Sequence, residues 1–251
     1  MRYFIHLCYK GTDFHGWQKQ KNAPYTVQSE LERAFSIFLK EQIEIIGCGR
    51  TDTGVHAHSY YAHFDTNQKL GHQDLYGLNA ILANDVSILE IFSSANHAHA
   101  RFSAVKRTYK YFIHYYKNPF LNGRSFYLRQ SLKPELRLMN DFCEQLKSVR
   151  DFTSFEKKGG DNTHSLCEVS EALWTETADG CMFEISSNRF LRNMVRAIVG
   201  TSLMIGCQKR EIPDILEEVH QKKAIHLSIT APANGLYLWS IDYPQNTFTR
   251  L

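Results

Sequence analysis

Apolar and polar positions alternate from the first residues, with Tyr3, Ile5, Leu7 and Tyr9 set against Phe4, His6 and Cys8, and Gly11 breaking the run; this predicts a strand entering a loop. Thr26 is placed to cap a helix whose Val27, Leu31, Ala34, Phe35 and Phe38 recur at helical spacing. Residues 43–48 form a β-branched run stopped by Gly49, read as a second strand that delivers Gly49-Arg50-Thr51-Asp52-Thr53-Gly54 to its end. Residues 56–64 read as a strand, 75–82 as a short helix and 86–92 as another extended run. The clearest strand spans 108–116, with Tyr109, Tyr111, Ile113 and Tyr115 on one face and Lys110, Phe112 and His114 on the other. Pro134 opens a helix with a stripe of Met139, Phe142, Leu146 and Val149. A strand over 181–186 runs into a helix carrying Leu191, Met194, Val195, Ile198, Val199 and Leu203; Pro213 starts the last helix, and 235–242 is the last strand.

Comparable strand–helix–strand runs therefore precede and follow residue 103 or so, which predicts two α+β subdomains, 1–103 and 104–251, each an antiparallel-rich sheet with helices on one face. No Gly/Ser- or Pro-rich linker separates them. Composition narrows the class without naming it. With 43% hydrophobic and 22% charged residues, the 251-residue chain has the makings of a sizeable core and excludes collagenous or long disordered tracts. A net charge of +3 is too mild to diagnose nucleic acid, so any RNA site must come from clustered basic residues. The first ten residues lack the unbroken apolar core of a secretory signal, and no run approaches the length of a membrane span. Six scattered cysteines without a C-x-x-C pair argue against a zinc ribbon or a disulfide scaffold, so the expectation is a reduced, cytoplasmic protein.

Four groups of residues could carry chemistry. Asp52 lies between Arg50 and Gly54 in a tight loop after a strand, where glycines let the backbone bend and expose the carboxylate. The ordinary reading of such a residue is an Asx-turn or helix cap; the functional one is a nucleophile kept ionised by the neighbouring guanidinium. Aromatics interleave with Lys106, Arg107 and Lys110 on the strand at 108–116, which suits stacked bases beside phosphates and equally suits an everyday strand with a solvated face. Arg189, Arg192 and Arg196 stand at i, i+3 and i+7, so a continuous helix would place them on one face, either solvated or anion-binding. His56-x-His58, His63 with Asp65, and His97-x-His99 form the competing constellation, a metal site. Against it, histidine is frequent throughout this chain and no H-E-x-x-H signature occurs. Cys48 beside the loop reads as a small buried thiol ending a strand.

Taken together the motifs resemble a family. Gly11-Thr12-Asp13-Phe14-His15-Gly16-Trp17-Gln18, Gly49-Arg50-Thr51-Asp52-Thr53-Gly54-Val55-His56-Ala57, Ala100-Arg101-Phe102-Ser103-Ala104, Arg107-Thr108-Tyr109-Lys110-Tyr111, Asp151-Phe152-Thr153-Ser154-Phe155, Phe190-Leu191-Arg192-Asn193-Met194-Val195-Arg196 and Ala231-Pro232-Ala233-Asn234-Gly235-Leu236 are similar, in order, to the motifs of the tRNA pseudouridine synthase A family. The resemblance spans essentially the whole chain. It implies the α+β pseudouridine synthase fold, two subdomains whose sheets meet around a catalytic cleft. It implies a homodimer that binds tRNA across both subunits and isomerises uridines at about positions 38 to 40 of the anticodon stem-loop, without cofactor or metal. By the motif match, Asp52 corresponds to the catalytic aspartate and Arg196 to its basic partner. Tyr109 corresponds to the tyrosine that stacks on the target base, Arg50 to an arginine that helps displace it, and Leu236 to an apolar residue lining the pocket.

The chain also departs from the family pattern. Thr53 stands where alanine is usual, which implies altered loop packing only. Leu82-Ala83-Asn84-Asp85 lacks the proline common at that turn, His164 replaces an arginine, and residues 156–162 differ, which bears on RNA contacts and target positions rather than on the reaction. Two other readings remain open: a catalytically silent RNA-binding homologue that keeps Tyr109 and the arginines, and a metal-dependent hydrolase using His56, His58 and His63.

Overall fold

Strand β1 (Arg2–Tyr9) is the axis of the first half of the protein in the computed structural model, which describes residues 1–20, 23, 25–95, 97–159, 163–225 and 229–251. β1 pairs antiparallel with β3 (His56–Asp65) on one side and β4 (Val86–Ser94) on the other. β10 (Phe248–Arg250) extends the sheet beyond β4. Beside β3, β9 (Leu236–Asp242) joins in parallel through His56 opposite Tyr237 and Ala57 opposite Leu238. Tyr3, Ile5 and Leu7 of β1 share a face with Phe64, Ala62 and Tyr60 of β3, all buried. That face meets α1 (Val27–Leu39), whose Phe35 ring lies 4.7 Å from that of Phe64.

Helix α1 starts where its sequence demands. The Thr26 hydroxyl accepts the Ser29 N–H, and the Ser29 hydroxyl accepts the Thr26 N–H, a reciprocal cap worth about 1 kcal/mol. Glu30, buried one turn in, accepts two hydrogen bonds from Arg33 and one from the Ala83 N–H at 2.8 Å. A proline at 83 could not donate that last bond, so the departure from the family turn is built into how α1 holds the segment after α2 (Asp74–Ile81).

Strand β5 (Lys106–His114) leads the second half and pairs antiparallel with β8 (Gly180–Ser187), which pairs in turn with β7 (Val169–Glu176). Short β6 (Phe126–Tyr127) runs parallel to β5. Helix α3 (Leu136–Leu146) packs on β7 and on α4 (Met194–Gly206); its Asn140 side chain closes both main-chain polar groups of Trp174, accepting from N–H and donating to C=O. α4 is buried on nearly every side, and α5 (Ile212–His220) has proline in its first turn.

Four expectations change. First, only the end of the 43–48 run bonds to β3, at β2 (Ile46–Gly47) and through the Cys48 N–H to the Tyr61 carbonyl, because the Ile43 and Ile45 N–H groups bond to Ser36 Oγ and Glu32 Oε1 instead of to a strand. Second, β7 and β10 were not legible in the sequence. A bulge between Val169 and Glu171 shifts the buried positions to 169, 172 and 174, so no clean alternation exists to read. Third, the helix that follows β8 begins late: Asn193 has φ of 66°, and α4 starts at Met194, leaving Leu191 and Arg192 outside it. Fourth, the chain divides into Met1–Lys106 with Tyr237–Leu251 and Arg107–Leu236, rather than at 103, since the last two strands return to the first unit, β9 to pair with β3 and β10 with β4.

Candidate active site

The first unit supplies the loop that carries Asp52. Its entrance is held by the Trp17 N–H, which donates to the Thr51 carbonyl at 3.1 Å, and by the hydroxyls of Tyr9 and Thr51, 2.8 Å apart and buried. The Trp17 indole stacks on Tyr60 at 4.0 Å, and the Tyr60 hydroxyl donates to the Gly49 carbonyl. Burial holds the Tyr60 phenol far above its ordinary pKa, so it stays a donor. At the exit the Val55 N–H donates to the Asp52 carbonyl at 3.1 Å, closing a turn in which Gly54 has φ of 80°, a conformation that side chains resist. The backbone on both sides of Asp52 is thus bonded down while its side chain remains partly accessible. Arg50 is exposed on the same loop, and Thr53 is exposed as well, so its substitution for alanine costs the loop no buried contact.

The second unit supplies the aromatic and basic candidates. Tyr109, half-buried on β5 opposite Ile185, meets the Phe190 ring edge-on at 5.0 Å. Arg196 lies in the first turn of α4, where its Nε donates to the Ala231 carbonyl at 2.7 Å while the Ala231 N–H donates back to the Arg196 carbonyl at 3.1 Å. This double tie fixes the 231–236 segment against α4. The segment's other end is set by Tyr111, fully buried, whose hydroxyl donates to the Pro232 carbonyl at 2.8 Å, and by Asn234, which donates to the Ser125 carbonyl. Leu236 follows directly, 5% exposed. Burial drives the Tyr111 phenol upward and the Arg196 charge partly opposes it, so the hydroxyl keeps its proton. Reading the sequence did not single out Tyr111; its place two residues after Tyr109, on the same face of the strand, was the available signal.

The expected arginine stripe does not form. Because the helix begins only at Met194, Arg189 points its guanidinium to the His164 ring at 3.0 Å, Arg192 reaches the Gly159 carbonyl at 3.4 Å, and Arg196 alone is helical. His164 in place of arginine is therefore a neighbour of Arg189. Of the divergent segment 156–162, Lys157 donates its N–H to the Arg192 carbonyl, and residues 160–162 lie outside the described residues. On β5, Lys110 pairs with Glu184 at 3.1 Å and Arg107 donates to the Asn188 carbonyl, so these charges brace the strand as well as mark it.

The histidines serve as backbone acceptors and ring stacks. His56 Nδ1 accepts the Gly11 N–H at 3.0 Å while its ring stacks on Tyr237, and His58 stacks on Trp239 at 4.1 Å. His63 Nδ1 accepts the Ala100 N–H at 3.1 Å. Among the described residues no group of three or more His, Cys, Asp and Glu side chains is placed to hold a metal ion. Nor is any described helix long and apolar enough to cross a membrane.

A family model described as tRNA pseudouridine synthase matches residues 143–244. Over almost its whole length the chain is also similar to proteins named tRNA pseudouridine synthase A. It is 43% identical to that of Azobacteroides pseudotrichonymphae over 248 residues, covering 98% of each chain. It is 39% identical to that of Parabacteroides distasonis over 249 residues, with 98% of each covered. It is 36% identical to that of Bacillus subtilis over 246 residues, with 97% of this chain and 99% of the relative covered. The chain belongs to the tRNA pseudouridine synthase A family. Members of this family are isomerases, and the α+β architecture described above is that of the pseudouridine synthase fold.

Proposed function

We propose that the protein isomerises uridine to pseudouridine in tRNA, at about positions 38 to 40 of the anticodon stem-loop, as a cytoplasmic homodimer that binds tRNA across both subunits. The observation that carries this reading is Asp52, a carboxylate whose loop is tied at Thr51 and closed at Val55. In the reaction the N1–C1′ bond breaks, the uracil turns while held, C5 bonds to C1′, the C5 proton leaves and N1 gains one; nothing is oxidised and no atom is lost. An ionised Asp52 suits three routes: attack on C1′, removal of the C2′ proton, or addition to uracil C6. Arg196 is its cationic partner, held in place by Ala231. A target in a stem must leave the stack at a cost of a few kcal/mol. Tyr109 stacks on the extruded base, Arg50 helps displace that base from the stack, and Leu236 lines an apolar wall that keeps water from the sugar.

Release of tritium from C5-labelled uridine in unmodified tRNA tests the reading. The native protein should release tritium with a metal chelator present, and Asp52→Asn should release none while still binding tRNA. Full turnover by Asp52→Asn removes its assigned role. No release from any tRNA points to a silent binding homologue, and release lost on chelation points to a metal at the histidines.

A further inference from the structure

The segment from Ile229 to Leu236 is gripped by α4 on one hand and by β5 on the other, all within the second unit. On the α4 side the approach is close. A Cβ on Gly200 would stand 1.5 Å from the Ile229 carbonyl oxygen, so the backbone of the segment rests directly on the helix there. Next along, the Asn193 amide donates to the Thr230 hydroxyl at 3.1 Å, and then come the two bonds between Ala231 and Arg196. From β5 one side chain meets the segment twice. The Tyr111 hydroxyl donates to the Pro232 carbonyl at 2.8 Å, and its ring lies so near Gly235 that a Cβ there would come within 2.7 Å of it.

Arg196 and Tyr111 therefore hold consecutive carbonyls, those of Ala231 and Pro232. Pro232, with φ of −53° and ψ of 143°, keeps the link between them extended and stiff, so a shift of the second carbonyl carries the first with it. The Ala231 carbonyl in turn takes Nε of Arg196, and because Nε and the two terminal nitrogens share one rigid plane, it sets how the whole guanidinium lies. Tyr111 is fully buried, and burial outweighs the Arg196 charge in keeping its proton on, so the hydroxyl is a donor throughout the neutral range.

We infer that Tyr111 is a positioning residue for the isomerisation: from a fully buried place on β5 it fixes the Ala231–Pro232 link and so sets the plane of the Arg196 guanidinium. This rests on the reading that Arg196 is the cationic partner of Asp52, and names what aims that partner.

Values of kcat and KM from tritium release on unmodified tRNA test it. Tyr111→Phe keeps the ring and loses the one hydrogen bond; kcat should fall about 3- to 10-fold with KM within about twofold of native, since an orientation needed for the chemical step is not felt in binding. Tyr115→Phe, which loses the buried bond from its hydroxyl to Cys181 Sγ, is the control for general loosening and should keep native kcat whatever it loses in unfolding midpoint. In the Arg196→Lys background, where the Nε bond is already gone, Tyr111→Phe should lower kcat by less than about twofold further. Native kcat in Tyr111→Phe, an equal loss in Tyr115→Phe, or a Tyr111→Phe effect of full size on top of Arg196→Lys each overturns the inference and leaves the proposed reaction standing. Native kcat in Arg196→Ala overturns both the inference and the role of Arg196 on which it rests.

Discussion

The Gly11 N–H donates to Nδ1 of His56 at 3.0 Å, tying the loop after β1 to the first residue of the strand that follows Asp52. The two segments approach so closely that a Cβ on Gly11 would lie 1.9 Å from the Val55 carbonyl oxygen, a backbone atom that cannot swing aside. Gly11→Ala should therefore displace the Asp52 turn, lowering kcat at least about tenfold and stability by about 1–3 kcal/mol. Chemical unfolding and tritium release check this; a native-like variant shows that the loop does not depend on the contact.

Arg196→Lys keeps a cation but loses the Nε bond to the Ala231 carbonyl. One charged hydrogen bond is worth about 1.5–3 kcal/mol, so kcat should fall about 10- to 100-fold with KM little changed. Arg and Lys equal in kcat would show that the charge alone matters at this position.

His63, 1% exposed, is pushed down to about 4 by burial first and then by the charges of Arg2 and His99, with Asp65 opposing. Its Nδ1 must be unprotonated to accept from Ala100. The folded value lies below the unfolded one, near 6.5, so the unfolded state binds the extra proton between pH 6.5 and 4. Stability should be full above about pH 6.5 and fall by about 3 kcal/mol as pH drops toward 4. Denaturant midpoints across that range should flatten in His63→Asn; an equally steep fall in the variant assigns the loss to other groups.

Burial pushes the thiols of Cys143 up to about 12 and of Cys167 and Cys181 up to about 11, and Cys48 is also buried. Cys8 and Cys207 are partly exposed, although burial raises them as well. An aromatic disulfide reagent at pH 8 should label these two first and the other four at least about 100-fold more slowly, until the protein unfolds. Rapid labelling of four or more thiols in the native protein contradicts this packing.

Sequence by itself determined the elements whose signals are local. Thr26 and Ser29 announce the start of α1, alternation announces β1, β3, β5 and β8, and Gly49 and Gly54 bracket a turn that carries Asp52, because caps, periodicity and glycine all act within a few residues. Only the tertiary structure decided where the three late arginines go. A single residue, Asn193, adopts positive φ with its side chain on the Thr230 hydroxyl, and this postpones α4 past Arg192; spacing alone had placed Arg189, Arg192 and Arg196 on one face. The same holds for β7, whose bulge hides its alternation, and for β9 and β10, which return to the first unit to pair with β3 and β4, more than 140 residues earlier in the chain. Pairing energies between segments so far apart leave no trace in a local window, so they become visible only once the chain has folded.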